Sequence, residues 1–116
     1  MDINDSRVLF DGGKVKPLQS PPIIVSDLLR TPENVGNLIR LAANIGICKV
    51  ISVERVPLKE SKIRKTSCMA WDYVELIRVS EGDLLNHIPE DYTLVAVETS
   101  AQSVNLYKTS LPEKSV

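Results

Sequence analysis

The sequence has few cysteines, few aromatic residues and no long apolar run, and each shortage excludes a class of protein. Its two cysteines and one histidine do not form a metal-ligand pattern. No stretch approaches the roughly 20 apolar residues of a membrane-spanning helix, and no apolar run follows a basic start as it does in a secretory leader. We therefore expect a cytoplasmic protein without a bound metal, in which Cys48 and Cys68 are reduced and buried.

Several familiar site motifs are missing as well. No G-x-G-x-x-G follows a strand, so the sequence has no dinucleotide fingerprint. Gly12-Gly13-Lys14 lacks the spacing of a Walker A phosphate loop. No sequence pattern around His87 indicates the partners of a catalytic triad. What remains is an ordinary composition over 116 residues, 43% hydrophobic and 25% charged, which predicts one small globular domain.

Charge is spread unevenly, although the net charge is only −1. Residues 1–65 hold 11 Lys or Arg against 7 Asp or Glu, and residues 66–116 hold 3 against 8, which predicts one basic face. The densest run of cations has only Glu60 against it and comprises Arg55, Lys59, Lys62, Arg64 and Lys65. This run could line an RNA backbone or could be a solvated helix face. No aromatic residue is interleaved with it, so base stacking is not indicated.

Short apolar segments typical of strands alternate with segments whose apolar residues recur at helical spacing, and this pattern predicts an α/β fold. We predict strands at 23–26, 50–53, 73–79 and 93–97, a helix over 32–46, and shorter helices at 57–66 and 81–88. This alternation is typical of a mostly parallel sheet with flanking helices. Residues 1–20 are interpreted as a lead-in segment with a short strand at 6–10, and residues 21–116 as the domain.

Residues 32–46 are the most informative stretch. They place Asn34, Gly36 and Arg40 in an N-x-G-x-x-x-R frame directly behind the first apolar run. Glycine inside a helix costs roughly 1 kcal/mol relative to alanine, so Gly36 indicates that the backbone approaches something closely. Arg40 falls one turn later on the polar side of the helix, where its guanidinium could bind a phosphate or hydroxyl. The alternative is an ordinary helix with Asn34 near its cap and a solvated arginine.

This stretch resembles the first motif of the SpoU/TrmH family, the RNA 2′-O-ribose methyltransferases of the SPOUT superfamily. Residues 65–70 are similar to the family's Ser-x-Gly-Ala segment, although Met69 stands where glycine is usual. Residues 95–100, with 106–107 and 111–112, look like the fourth strand and the loop that leads to the knot. The resemblance covers about residues 21–116 and implies the N-terminal, Rossmann-like half of a SPOUT trefoil-knot fold, with the knot region absent from this chain.

The resemblance also implies a function and a set of site residues. The complete protein would transfer a methyl group from S-adenosylmethionine to a ribose 2′-hydroxyl of tRNA or rRNA, as a homodimer, whereas these 116 residues alone would be inactive. Arg40 would be catalytic. The RNA-binding residues would be Asn34, Gly36, Arg55, Lys59, Lys62 and Lys65, and one wall of the methyl-donor pocket would be Glu98, Thr99 and Ser100.

Two other classes of function stay open on the sequence alone. The chain could be a non-catalytic RNA-binding or dimerisation module, or a small α/β ligand-binding domain unrelated to RNA. The segment Glu98–Ser100 could equally be a polar surface turn.

Overall fold

Three parallel strands and two helices form the core of the computed structural model, which describes residues 20–116. The elements are β1 (Ile24–Asp27), α1 (Pro32–Asn44), β2 (Lys49–Glu54), α2 (Glu60–Ser67) and β3 (Glu75–Ser80). The sheet order is β1-β2-β3, and both pairings are parallel. This confirms the predicted α/β class. The lead-in and its predicted strand at 6–10 lie outside the described residues.

The central strand β2 is buried on both faces, which is why its sequence is a nearly continuous apolar run. Val50 packs into a core with α1 and α2, alongside Ile39 and Ile63. Ile51 points to the opposite face, where it packs with Val79 and with other apolar residues of the C-terminal half. The two helices therefore cover one face of the sheet, and residues after β3 cover part of the other.

Helix α1 follows its sequence signals closely. Thr31 is the N-cap and Pro32 occupies the first helical position, although the Thr31 side chain makes no capping hydrogen bond. Val35 and Ile39 are buried on the predicted apolar stripe, whereas Arg40 is exposed. The helix ends at Asn44, and Gly46 adopts a left-handed φ of 81° just beyond it.

Gly36 lies where α1 and α2 approach each other most closely. A Cβ built on Gly36 would lie 2.6 Å from the Cβ of Thr66 and 2.9 Å from the carbonyl oxygen of Ile63. The sequence predicted a close backbone approach at this position, and the structure identifies α2 as the partner. The two helices run in the same direction, because Pro32 lies beside Lys59 and Lys62 while Gly36 lies beside Ile63 and Thr66.

The predicted fourth strand at 93–97 is wrong. Thr93 makes a single parallel bridge with Ser115, and the backbone from Leu94 to Val97 is irregular. A strand needs a hydrogen-bonded neighbour, and within residues 20–116 only the segment 114–116 provides one. Val95 N–H donates to the Val116 carbonyl at 2.7 Å. The same short segment contacts the sheet, because Ile23 N–H donates to the Ser115 carbonyl at 3.0 Å.

Two smaller expectations are also corrected. The helix predicted at 81–88 is a single 3₁₀ turn over Leu84–His87, because Gly82 turns the chain at a φ of 92° and Pro89 follows. Cys48 and Cys68 are free but exposed rather than buried, since both lie at the ends of elements rather than within the core.

Replacing Gly36 with alanine should destabilise the protein despite the higher helix propensity of alanine. The added methyl group has no room against Thr66 and Ile63, and overpacking of this kind costs about 1–3 kcal/mol. Urea unfolding measures the change. Asn37→Ala, one residue away on the exposed side of α1, is the matched control and should leave stability unchanged or slightly raised. A Gly36→Ala variant as stable as the wild type would show that the helices can separate freely.

Candidate nucleic-acid interface

A cavity of about 460 Å³ opens at the carboxyl ends of β1 and β2. Its walls are the two loops that leave these strands and the first turns of α1 and α2. Ligands of parallel α/β sheets characteristically bind at this end of the strands. Four cationic side chains line the cavity, namely Arg30, Arg55, Lys59 and Lys62. None of its lining residues within 20–116 is acidic. We call it the strand-end cavity.

The loop between β1 and α1 shapes one side of this cavity. Leu28 adopts a positive φ of 57°, which is uncommon for a residue with a branched side chain. Its N–H donates to the Val53 carbonyl at 3.0 Å, so the loop is held against the end of β2. This turn brings Arg30 into the cavity just before α1 begins.

A partly buried ion pair supports the other loop, between β2 and α2. Glu54, 8% exposed, accepts two hydrogen bonds from the Arg78 guanidinium on β3, at 2.8 and 2.6 Å. Glu54 also accepts from Leu58 N–H at 2.7 Å, and Arg78 donates to the Leu58 carbonyl. Both backbone polar groups of Leu58 are thus fixed, and with them the loop that carries Arg55 and Lys59.

The same contacts set the protonation of Glu54. Burial acts to raise the pKa of its carboxyl, but the hydrogen bonds from Arg78 and from Leu58 N–H outweigh that effect and hold the pKa below its usual value. On the other side of the pair, the pKa of Arg78 is raised, chiefly by its hydrogen bond to Glu54. Both groups stay charged over the physiological range.

The cations of the cavity differ in how they are partnered. Arg55 pairs with Glu81, with two hydrogen bonds of 2.7 Å, and this contact raises the pKa of Arg55 and lowers that of Glu81. Within residues 20–116, by contrast, no carboxylate lies within ion-pair distance of Arg30, Lys59 or Lys62. Their charge is therefore available to an external anion.

Arg40 lines a second, smaller depression of about 130 Å³. Its other walls are Asn44 on α1 and the turn after α2, residues 67–70. Arg40 is exposed, and it has no ion-pair partner in the described part of the chain. The turn holds Cys68 at a φ of 53°, whereas Met69 has no positive φ. Methionine at the position where the family usually has glycine therefore adds no strain of that kind.

Both depressions lie along one surface, which we call the α1–α2 seam. Because the helices are parallel, the strand-end cavity lies at their starts and Arg40 lies beside the end of α2. Eight residues of α1 separate Pro32 from Arg40, a distance of about 12 Å at 1.5 Å per residue. Leu28 and Cys68 are the non-glycine residues with positive φ in residues 20–116, and one lines each depression. Such strain tends to collect at functional sites.

The predicted RNA-binding residues divide between different places. Arg55, Lys59 and Lys62 come together in the strand-end cavity, while Lys65 is exposed further along α2. Asn34 is exposed in the first turn of α1, and its N–H donates to the Thr31 carbonyl at 3.1 Å. Gly36 is buried beneath α2, so helix packing accounts for it.

Sequence reasoning missed Arg30. Its position between the first strand and the first helix could have indicated a role at the strand ends. The turn at Leu28, which the sequence does not reveal, brings Arg30 to the same cavity as Arg55.

The predicted methyl-donor residues lie in a separate, exposed region. Glu98 and Ser100 line a cavity of about 360 Å³ with mostly apolar walls formed by residues 95–97, 104, 106 and 111. Glu98 accepts a hydrogen bond from Thr99 N–H at 2.8 Å, and the hydroxyls of Ser100 and Ser103 lie 3.0 Å apart.

In residues 20–116, no cluster of three His, Cys, Asp or Glu side chains could hold a metal ion. No helix in that part of the chain is long and apolar enough to cross a membrane.

Residues 20–116 thus form a parallel α/β domain with unpaired cations at the carboxyl ends of its strands, the edge at which such sheets bind ligands. Comparison with known proteins gives the family: residues 21–116 match the SpoU rRNA Methylase family, and the chain belongs to it. Membership implies the SPOUT fold, of which residues 20–116 show the parallel sheet and its helices without a knot-forming segment.

Two curated relatives are similar in sequence. Over 98 residues the chain is 29% identical to mouse tRNA (guanosine(18)-2′-O)-methyltransferase TARBP1, covering 81% of this chain and 6% of that protein. Over 95 residues it is 32% identical to 23S rRNA (guanosine-2′-O-)-methyltransferase RlmB of Pasteurella multocida (strain Pm70), covering 79% of this chain and 39% of that protein. The chain thus spans well under half the length of either relative.

Replacing Glu54 with glutamine should lower the free energy of unfolding at pH 7 by about 3 kcal/mol, because Arg78 would stay partly buried without its counter-charge. The folded-state pKa of Glu54 lies below the ordinary value of 4.5. Its stabilising contribution is therefore complete well above pH 4.5 and is lost as the pH falls through the folded-state value.

Chemical denaturation between pH 3 and pH 7 tests both parts of this prediction. The stability of the glutamine variant should fall less steeply in acid than that of the wild type. Glu75→Gln, which changes an exposed carboxylate at the amino end of β3, should follow the wild-type curve. Equal acid dependence in the wild type and Glu54→Gln would contradict the role given to this ion pair.

Proposed function

We propose that the chain is the N-terminal part, residues 21–116, of a methyltransferase domain that modifies a ribose 2′-hydroxyl of tRNA or rRNA. The proposal rests on Arg40, which lies in the family's first motif and has an exposed guanidinium. Within residues 20–116 no carboxylate neutralises it. The names of both relatives specify 2′-O-methylation of guanosine in RNA, which supports the reaction class. The activity belongs to the complete protein, proposed to be a homodimer.

Arg40 suits the demands of this reaction. A 2′-hydroxyl is a weak nucleophile, so the enzyme must orient it and stabilise the negative charge that develops on its oxygen as the proton leaves. A guanidinium fork can hold the adjacent phosphate by two hydrogen bonds and keep its charge close to that oxygen. The depression beside Arg40, bounded by the turn at residues 67–70, gives room for the ribose.

The other cations of the α1–α2 seam would hold the RNA backbone. Contacts to phosphate position a nucleic acid without reading its bases. Lysines at positions 59, 62 and 65 lie along α2 and are exposed, and Asn34 lies exposed at the start of α1, so their polar groups are accessible to RNA.

The family implies S-adenosylmethionine as the methyl donor, and its sulfonium methyl group is the one that would be transferred. In this chain Glu98, Thr99 and Ser100 would form one wall of its site. The cavity beside them supports this assignment, because its apolar side chains offer a surface against which an adenine ring could pack. The rest of the site would come from other parts of the complete protein.

Replacing Arg40 with alanine in the complete protein should lower methyl transfer by at least about 100-fold, the usual cost of losing one charge-stabilising group. The fold should be unaffected, because the side chain is exposed. Incorporation of tritiated methyl groups into RNA measures the rate. Arg40→Lys, which keeps the charge but loses the fork, should recover only part of it.

RNA binding is measured on the same variants. Binding close to that of the wild type, together with lost transfer, would support a role in the reaction itself. Near-normal turnover by Arg40→Ala would remove Arg40 from the mechanism. RNA binding without methyl transfer by the complete wild-type protein would favour a non-catalytic RNA-binding module.

A further inference from the structure

The strand-end cavity concentrates positive charge from several independent sources. Arg30 enters it from the loop after β1, and Lys59 and Lys62 enter it from the start of α2, all without an ion-pair partner in the described part of the chain. Helices α1 and α2 both begin at its edge, so the positive ends of their dipoles add to the field. Apart from these cations and Arg55, the described lining residues are apolar and offer no competing carboxylate.

The Arg55–Glu81 pair shows what kind of anion this cavity can bind. Arg55 Nε donates to Glu81 Oε2 and Arg55 Nη2 donates to Glu81 Oε1, both at 2.7 Å. The guanidinium thus binds both oxygens of the carboxylate. A phosphodiester presents two oxygens in the same way. The pair is exposed, with side-chain exposures of 68% for Arg55 and 49% for Glu81, so an incoming anion can displace the carboxylate.

We propose that the strand-end cavity binds a backbone phosphate of RNA, and that Glu81 competes with this phosphate for Arg55. The inference rests on the proposed function in taking RNA as the ligand. It adds a second anchoring point, about 12 Å along α1 from Arg40, so the two sites contact different phosphates. In the free protein Glu81 holds Arg55, and in the complex the phosphate takes the place of the carboxylate.

A double-mutant cycle tests the competition directly. The probe is a fluorescein-labelled 12-nucleotide oligouridylate, and fluorescence anisotropy measures its affinity for the 116-residue chain. Glu81→Gln should tighten binding roughly two- to fivefold, because Arg55 no longer has to give up an ion pair with Glu81 when it binds the phosphate. The same change made in an Arg55→Ala background should tighten binding no more than Glu75→Gln does. Glu75→Gln is the matched control, since it removes one exposed carboxylate at the opposite end of β3.

Arg30 provides an independent test, because the sequence motif does not include it. Arg30→Ala should weaken binding and make the dependence of log affinity on log salt shallower by about 0.7, the value for one lost contact to a single strand. Lys108→Ala, which removes an exposed cation of the C-terminal half, should leave the slope unchanged. Circular dichroism confirms that each variant is folded.

Several outcomes would overturn the proposal. Equal effects of Glu81→Gln and Glu75→Gln would mean that Glu81 does not compete with RNA for Arg55. An unchanged salt slope for Arg30→Ala would mean that the cavity does not contact an RNA phosphate. Competition of the probe by micromolar inorganic phosphate would assign the cavity to a small anion instead. These measurements need no methyl transfer, so they separate the two hypotheses: loss of activity in Arg40→Ala with unaltered binding in the cavity variants would leave only the proposed function standing.

Discussion

The close contact between α1 and α2 at Gly36 is the constraint on which the rest of this structure depends. Without a side chain at that position, the helices approach until the backbone of α1 lies against Thr66 and Ile63. Because they run in the same direction, their first turns meet above the carboxyl ends of β1 and β2, and the turn after α2 lies beside Arg40. The buried Gly36 thus determines where both depressions of the α1–α2 seam lie.

A second constraint fixes the charges at one end of that seam. The Glu54–Arg78 pair binds both polar groups of the Leu58 backbone, so the loop between β2 and α2 is held in place at Leu58. The pair connects adjacent strands on the helix side of the sheet, and a buried pair of this kind is costly to break. The structure therefore uses one fixed ion pair to support the cavity and one exposed pair, Arg55–Glu81, at its mouth.

Local signals in the sequence were enough to predict α1, because Pro32, the apolar stripe and Gly46 all act within the helix itself. They failed for residues 93–97, whose strand propensity is high but whose backbone has few partners beyond residues 114–116. At the site, the clustering of Arg55, Lys59 and Lys62 could be predicted because the three residues are close together in the sequence. Arg30 could not be added to them, because its place depends on a positive φ at Leu28 and on contact with β2, neither of which is visible in local composition.

The central claim is that the α1–α2 seam is the face that meets RNA. Amide chemical-shift mapping of the ¹⁵N-labelled chain, titrated with an oligoribonucleotide, tests it most directly. The account predicts that shifts concentrate along the seam, at Arg30, Lys62 and Cys68, and are absent from Ile88 and Tyr92 on the other side of the sheet. Shifts that concentrate around Ile88 and Tyr92 and leave the seam unchanged would contradict it.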